Sequence, residues 1–417
     1  MPWRFAVAAV AAALAASGAA GAERVVTPGQ ALQPLLDQAT AGEVLRLAPG
    51  RHAGPVHIRR SVSLVGDAGA VLQGHGRGSV IVVTAPDVRI EGLEIRGSGR
   101  TVPDMDAAIL LQQSAPRARI RSNRIMGNLF GVYVHGAAES LVENNEIVGR
   151  SDLRLSDSGD GVSIWNAPGT QVVGNTISHG RDGVFVVTSR RNVFERNSFS
   201  SLRFAIHYMY THDSRIVGNR SRGNHMAWAL MFSDGLEIRD NVSDDDEAHG
   251  LMLNFTNASQ IVGNVVRRGR EKCVFIYNAH RNVLRDNWFE RCPIGIHFTA
   301  GSEGNIVSGN AFIGNGVQVK YVGTRFIDWA YQGRGNYWSD NPAFDLDGNG
   351  IADRPYRPND VMDQVLWTLP AAKALSTSPA VQMVRWAQAR FPALYPGGVM
   401  DSAPLMRPAR TPASDAR

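Results

Sequence analysis

Lysine is almost missing from this 417-residue chain. Of 43 basic residues only Lys272, Lys320 and Lys373 are lysine, and the other 40 are arginine. The skew reads first as a bias of base composition and second as a binding surface. Cysteine is nearly absent too. Two residues, Cys273 and Cys292, exclude a disulfide framework and any cysteine-rich zinc or iron–sulfur site. Charge is modest: 43 basic residues face 38 acidic ones, a net of +5. A dedicated nucleic-acid binder would carry a strong basic stripe, so no nucleic-acid partner is expected. Long apolar runs are missing beyond the first residues, which excludes a spanning helix elsewhere. The hydrophobic content of 44% is that of an ordinary globular protein and excludes disorder as the main state.

The first segment reads as an export signal. Arg4 supplies the positive charge, residues 5–16 a short apolar core, and Ala20-Gly21-Ala22 a small-x-small cleavage site. The core is too short to span a bilayer; an uncleaved anchor is the alternative. Cleavage after residue 22 leaves 42 basic against 38 acidic residues. The expected destination is a bacterial periplasm, which argues against ATP- or NAD-dependent chemistry. The chain has no P-loop or dinucleotide-binding motif to oppose that.

A repeat dominates the middle of the chain. Asn123, Asn145, Asn175, Asn197, Asn219, Asn241, Asn264, Asn287 and Asn310 are spaced 22, 30, 22, 22, 22, 23, 23 and 23 residues apart. Eight or nine residues after most of them comes a small residue and then an alternating apolar strand, as at Gly131, Gly183, Gly250 and Gly295. No stretch of the repeat shows helical periodicity. A period of 22–23 with strands and no helix predicts an all-β, right-handed parallel β-helix, one coil per repeat. A leucine-rich horseshoe would need a leucine ladder, which is lacking. Stacked asparagine amides can bond along the axis at ~4.8 Å, and Asn tolerates the left-handed backbone of a sharp corner. Gly at the strand start is read the same way.

The predicted organisation is a signal peptide over 1–22, an N-terminal cap and first coil over 23–55, the β-helix over 56–340, a C-terminal loop and helical extension over 341–401, and a disordered tail over 402–417. About a dozen coils make a rod of ~60 Å. The one long spacing, before Asn175, predicts a loop insertion within 150–158.

Aligning the strands on the small residue before them separates inward from outward positions. Val132, Val162, Val184, Ile206, Trp228, Leu251, Val274 and Ile296 face the core. One outward column reads Tyr133, Ser163, Phe185, His207, Ala229, Met252, Phe275, His297. The next reads His135, Trp165, Val187, Met209, Met231, Asn254, Tyr277, Thr299. A solvated face should carry Lys, Glu, Thr and Ser, whereas this one carries aromatics, Met and His, which marks a binding face. Trp165, Phe185 and Tyr277 are candidate docking contacts. His207, Met209, Met231 and Met252 are candidate ligands, because thioether and imidazole together suit copper(I); the bland reading is that Met fills gaps. His212, His225 and His249 are placed on turns or strand edges, and each alone reads as a surface residue. Cys273 and Cys292 differ by about three residues in strand position. A disulfide requires Cα atoms within ~7 Å, so the expectation is two buried free thiols, with thiolate copper ligation as the alternative. Residues 244–247, all acidic, read as a solvated corner or a site for a cation or basic partner.

The tail carries Asn336-Tyr337-Trp338-Ser339-Asp340 and then Asp345-Leu346-Asp347-Gly348-Asn349-Gly350-Ile351-Ala352-Asp353. Asp345, Asp347, Asn349 and Asp353 match positions 1, 3, 5 and 9 of an EF-hand-like loop, with Gly350 at the turn position. Tyr356 stands where the bidentate Glu should be. A structural calcium is the expectation, a polar turn the alternative. Residues 360–367 and 379–390 read as helices, the second capped by Ser378-Pro379. Val381, Val384, Ala387 and Phe391 would form its apolar stripe, and Val384 is a further docking candidate.

Export signal, Asn-punctuated coils, Met/His columns and this tail together resemble the NosD family of periplasmic β-helix proteins. The resemblance covers nearly the whole mature chain, although the coils alone are shared with pectate lyases and alginate epimerases. It implies a non-enzymatic maturation factor for the copper–sulfide centre of nitrous oxide reductase. The implied partners are that enzyme, an ABC transporter permease at the membrane surface and a copper-carrying lipoprotein, with copper(I) bound transiently. Two other readings stay open. One is a polysaccharide lyase or epimerase recruiting Asp160, Asp182, His212 or Asp213, although the outward columns lack the paired carboxylates hydrolysis needs. The other is a docking platform without metal.

Overall fold

The computed structural model describes residues 22–411 except 300, 324, 361, 364, 366–368, 370, 372–374, 376, 377 and 392–396. The export signal therefore lies outside the described residues. Among them the chain winds as a parallel β-helix with three long sheets. The first sheet has 13 strands, from Glu23–Val26 to Ile306–Ser308; the second has 13, from Gly50–Ala53 to Tyr337–Trp338; the third has 12, from Val56–Ile58 to Val317–Val322. Each coil visits all three in turn. Every neighbouring pair of strands in these sheets is parallel and in register, as in Val132↔Val162↔Val184↔Ile206↔Trp228↔Leu251↔Val274↔Ile296. That inward column is buried throughout.

The asparagines form a buried ladder through the corner between the first and second sheets. Asn123, Asn145, Asn175, Asn197, Asn219, Asn241, Asn264, Asn287 and Asn310 each donate their backbone N–H and their side-chain Nδ2 to the Oδ1 of the next, at 2.8–3.1 Å. Each Nδ2 also reaches a strand carbonyl of the coil behind, as from Asn197 to Val172 at 2.8 Å. A buried amide is tolerated only when its groups are paired, and the repeat pairs them coil by coil.

Two backbone expectations differ from the structure. The left-handed residue of this corner is the one before each asparagine: Ser122, Asn144, Gly174, Arg196, Gly218, Asp240, Gly263, Asp286 and Gly309 all have positive φ. The strand-start glycines serve space rather than dihedral freedom. A Cβ on Gly131 would stand 2.3 Å from the carbonyl oxygen of Gly161, and one on Gly183 would stand 2.5 Å from that of Ala205.

The ends are covered, as exposed sheet edges must be. Helix α1 (Leu32–Gln38) buries Leu32 and Leu36. Its Gln33 Nε2 donates to the carbonyl of His57 at 3.0 Å, and its Oε1 accepts the His57 N–H at 2.7 Å, satisfying the first strand of the third sheet. At the far end, Gly398–Met400 pairs with Phe326–Asp328, and Asp401 receives the last bonds of the ladder. The expected disorder of 402–417 is corrected over its first part. Leu405 bridges Tyr337 and Ile351, and Arg410 pairs with Asp240 at 2.7 Å. Composition suggests a free tail, but bonds to the last coil and to the earlier corner at Asp240 and Gly263 hold it; residues 412–417 lie outside the described residues.

The expectation of free thiols is also wrong. Cys273 and Cys292 form a disulfide, with Cα atoms 5.6 Å apart. The three-residue offset applies to a straight strand. The chain turns a corner between Cys292 and the strand Ile294–Thr299, and that turn closes the distance.

Helix α2 (Pro379–Arg390) has the expected N-cap, with Ser378 Oγ accepting the Val381 N–H. Its stripe is not buried as a unit. Val381 is buried, whereas Val384, Trp386, Met383 and Phe391 are exposed. The helix expected over 360–367 is helical at Met362, Asp363 and Val365, the rest of its interior lying outside the described residues.

Candidate functional site

The three outer faces differ in chemistry. On the first two sheets the outward positions carry ion pairs between coils, such as Arg121–Glu143, Arg124–Glu146 and Arg215–Glu237. The third sheet carries almost none along its middle. Its observed columns are Tyr133, Ser163, Phe185, His207, Ala229, Met252, Phe275, His297 and, beside it, His135, Trp165, Val187, Met209, Met231, Asn254, Tyr277. The alternation read from the sequence places every one of these residues.

The upstream end of this face is roofed. The insertion within 150–158 folds back so that Leu153, like Val82, Val102 and Tyr133, packs against the buried cluster of Ala107, Leu110, Leu129 and Phe130. Downstream of it the face is open. Trp165 is 42% exposed and stacks on His135 with centroids 4.5 Å apart. Phe185 lies 4.8 Å from the His207 ring and under the Arg181 guanidinium. Tyr277 is 42% exposed.

His207 is more deeply set than its outward column implies. It is buried, and its Nδ1 lies 3.0 Å from Asp182 Oδ2. A carboxylate only accepts, so in the neutral ring Nδ1 carries the proton and Nε2 keeps the lone pair. This is the carboxylate–histidine arrangement that prepares an imidazole for a metal. Asp182 is held in turn by both nitrogens of Arg203, at 2.8 and 2.6 Å. Burial opposes its ionisation, but the bonds from His207 and Arg203 outweigh burial and hold its carboxyl below the usual range. Asp160, one coil earlier, is gripped by Arg181 at 3.1 and 3.2 Å and by Ser163 at 2.5 Å. Burial, followed by the charge of Asp182, pushes it up to about 6.

Both carboxylates are therefore enclosed and committed to arginine. Neither can face a sugar, which removes two of the three acids named for the lyase or epimerase reading; the third, Asp213, stands exposed at a corner. His212 is exposed at the next corner, its Nδ1 accepting the Asp234 N–H at 3.1 Å.

Met209 and Met231 are direct register partners, and Met252 follows Ala229 in the adjoining column. All three are half-buried. The register thus sets Met209, Met231, Met252 and His207 at neighbouring positions of one face.

Residues that the sequence reading undervalues also lie here. His249 opens its strand, at the edge as expected, but is buried rather than a surface residue, and it pairs in register with Lys272. At the corner after the second column, Tyr210, Phe232 and Phe255 stack in successive coils, with centroids 5.2 Å apart and planes within 20°. All three have left-handed φ, at 54°, 51° and 49°. Their spacing of 22 and 23 residues is the available signal. Of the acidic run at 244–247, Asp244 pairs with Arg267 and Arg268 and Asp246 is fully buried. Only Asp245 and Glu247 stay at the surface.

The calcium candidate is a compact, exposed loop. Carboxylate oxygens of Asp345, Asp347 and Asp353 lie within 4.8 Å of one another. Asp345 accepts backbone N–H bonds from Gly348, Asn349 and Gly350. Tyr356, at the twelfth position, points its hydroxyl to Asp340 at 2.8 Å and supplies no ligand to the loop.

Comparison with known proteins decides the family. Residues 143–343 match the family model described as "Periplasmic copper-binding protein (NosD)". A "Probable ABC transporter binding protein NosD" of Stutzerimonas stutzeri is 37% identical over 414 residues, covering 96% of this chain and 94% of that one. The protein of the same name from Pseudomonas aeruginosa is 41% identical over 380 residues, covering 88% and 89%. The chain belongs to the NosD family. Solved structures add the fold alone. The A-module of the Azotobacter vinelandii mannuronan C-5 epimerase AlgE6 superposes with a TM-score of 0.54 at 14% identity, over 74% of this chain and 93% of that one. The Streptococcus pneumoniae surface protein and adhesin PfbA gives 0.56 at 11%, over 70% and 94%.

Proposed function

We propose that this NosD-family chain is a non-enzymatic periplasmic maturation factor that handles copper(I) on the outer face of its third sheet. In this reading it assists assembly of the copper–sulfide centre of nitrous oxide reductase. It does so with an ABC transporter permease at the membrane surface and a copper-carrying lipoprotein. The observation that carries the reading is the pairing of Met209 with Met231 beside His207, whose Nδ1 is tied to Asp182. Soft thioethers with one imidazole lone pair favour copper(I) over hard cations. Trp165, Phe185 and Tyr277 then serve as docking contacts along the same face, and Val384 on α2 as a second one at the end of the rod. Asp345, Asp347, Asn349 and Asp353 would hold a structural calcium.

The test is copper(I) titration of residues 23–417 under reducing conditions against a chromogenic chelator. The wild-type chain is expected to bind stoichiometrically. The variant with Met209, Met231 and Met252 changed to Leu is expected to lose affinity at least tenfold. Absence of binding in the wild type would leave a docking platform. Full binding in the triple variant would move the site elsewhere. Trp165→Ala with Tyr277→Ala should weaken partner capture while leaving copper stoichiometry unchanged.

A further inference from the structure

The cationic end of the same face asks for a different ligand. The chain has 40 arginines and three lysines, yet both lysines among the described residues stand within a few side chains of each other. Lys320 follows His297 in the outer column, and His297 follows Phe275. Lys272 stands beside His249 in the flanking column. Phe275 sits at the centre: its ring centroid is 4.9 Å from that of His297, 5.6 Å from that of His249 and 5.0 Å from Lys272 Nζ.

Three observations fix what this cluster can hold. Lys320 has no carboxylate within ion-pair distance among the described residues, and Lys272 has only the exposed Glu271, at 3.5 Å. Lys272 Nζ lies 3.5 Å from His249 Nε2. An ammonium only donates, so the proton of a neutral His249 sits on Nδ1, and that buried Nδ1 has no hydrogen-bond partner. Around it stand the Ala248 backbone and a Glu271 oxygen at 3.7 Å. His297 Nδ1 is likewise buried without a partner. Burial, followed by the charges of Lys320 and Lys272, pushes His297 down to about 4.

Such a set repels a metal cation. Two ammoniums face it, and the His249 nitrogen left open carries a proton. The cluster therefore does not extend the thioether patch. Lysine rather than arginine points the same way. A guanidinium fork suits the two oxygens of a carboxylate or phosphate, whereas an ammonium is a compact point charge. We propose that Lys272, Lys320, the imidazole N–H of His249 and the ring of His297 form a binding site for a compact anion of halide size, at the downstream end of the third sheet. Glu271 stands at its rim as the competing charge.

The probe is bromide, added to the full mature chain at constant ionic strength with gluconate as the bulky counterpart. The side-chain 15N resonances of His249 and His297 should shift saturably with bromide and stay still with gluconate. Lys320→Met and Lys272→Met should each remove the saturable shift. Glu271→Gln should tighten binding severalfold. In crystals soaked with bromide, an anomalous peak should stand between the two ammoniums. Copper(I) binding, measured on the same Lys320→Met sample, should be unchanged, so failure of the metal reading and failure of this one are separate results. Equal responses to bromide and gluconate, or bromide peaks confined to other surfaces, would overturn the proposal.

Discussion

Asp401 Oδ2 accepts the backbone N–H of Asn336 at 2.7 Å and the indole N–H of Trp338 at 2.8 Å. One aspartate thus takes the place that an asparagine holds in each coil from Asn123 to Asn336. It closes a chain of amides that begins at Asn123 and would otherwise end in unpaired donors. A buried donor left without an acceptor costs ~1–3 kcal/mol. Asp401→Ala should lower stability by about 3 kcal/mol in chemical denaturation, and Asp401→Asn, which keeps an acceptor oxygen, by much less. Equal losses would show that the carboxylate charge, rather than the acceptor geometry, closes the ladder.

Asp246 makes stability depend on pH with an unusual sign. It is fully enclosed and accepts from Ser243 Oγ, Ser221 Oγ and the Asn224 N–H. Burial pushes its carboxyl up to about 6, above the ~4 of an unfolded chain. The folded state therefore retains a proton that the unfolded state releases. The stabilisation is complete below about pH 4 and is lost as pH rises through about 6. Asp160, also at about 6, works in the same direction. Asp246→Asn keeps the acceptor for Asn224. It should raise the denaturation midpoint near neutral pH, by an energy of up to about 3 kcal/mol, and flatten the profile between pH 4 and 6. A variant less stable than wild type at neutral pH would refute this.

The Cys273–Cys292 bridge closes a short loop between neighbouring coils, 19 residues apart in sequence. By loop closure alone it contributes about 3 kcal/mol. Replacing both cysteines with serine should lower the thermal midpoint by several degrees, and a reductant should do the same to the wild type but not to the variant. Copper(I) binding at the methionines should persist in the variant, because the disulfide belongs to the core and not to the outer face.

The acidic loop at 345–353 is expected to respond to calcium. Three carboxylates crowded within 4.8 Å repel one another without a cation. Calcium added to chelator-treated protein should raise the melting temperature by a few degrees, as saturation at a hundred times Kd supplies ~2.7 kcal/mol. Asp345→Asn with Asp353→Asn should abolish the rise. An unchanged melting temperature in the wild type would leave a polar turn.

Periodicity carries the fold because the physics is periodic. Asn197 and Asn219 recur at the coil length, since each must meet the amide of its neighbour. Val184 and Ile206 alternate with Phe185 and His207 because a strand has two faces. The Met209–Met231 pairing follows from the same register. What spacing cannot carry is a corner. The chain bends between Cys292 and Ile294, so an offset that excludes a disulfide on a flat strand permits one here. His249 is misread for the same reason: its place at the bend hides its burial. The burial of His207 and the Asp182–Arg203 pair behind it arises between coils, where no single repeat shows both partners.

Tyr210, Phe232 and Phe255 occupy a corner that the flanking coils fill with Thr188 and Asn278, and the coil before Thr188 with Asn166, all in the same left-handed conformation. For a bulky side chain that conformation is a genuine outlier, at a cost of ~1–3 kcal/mol apiece. Stacked flat, Phe232 hides its faces between its neighbours, while Tyr210 and Phe255 stay 49% and 39% exposed. Heat resistance and use pull this corner in opposite directions. A directed-evolution screen that rewarded only survival at high temperature would replace these rings first, by asparagine or glycine, and would erase the apolar rim beside Met209 and Met231 before it touched a single core valine.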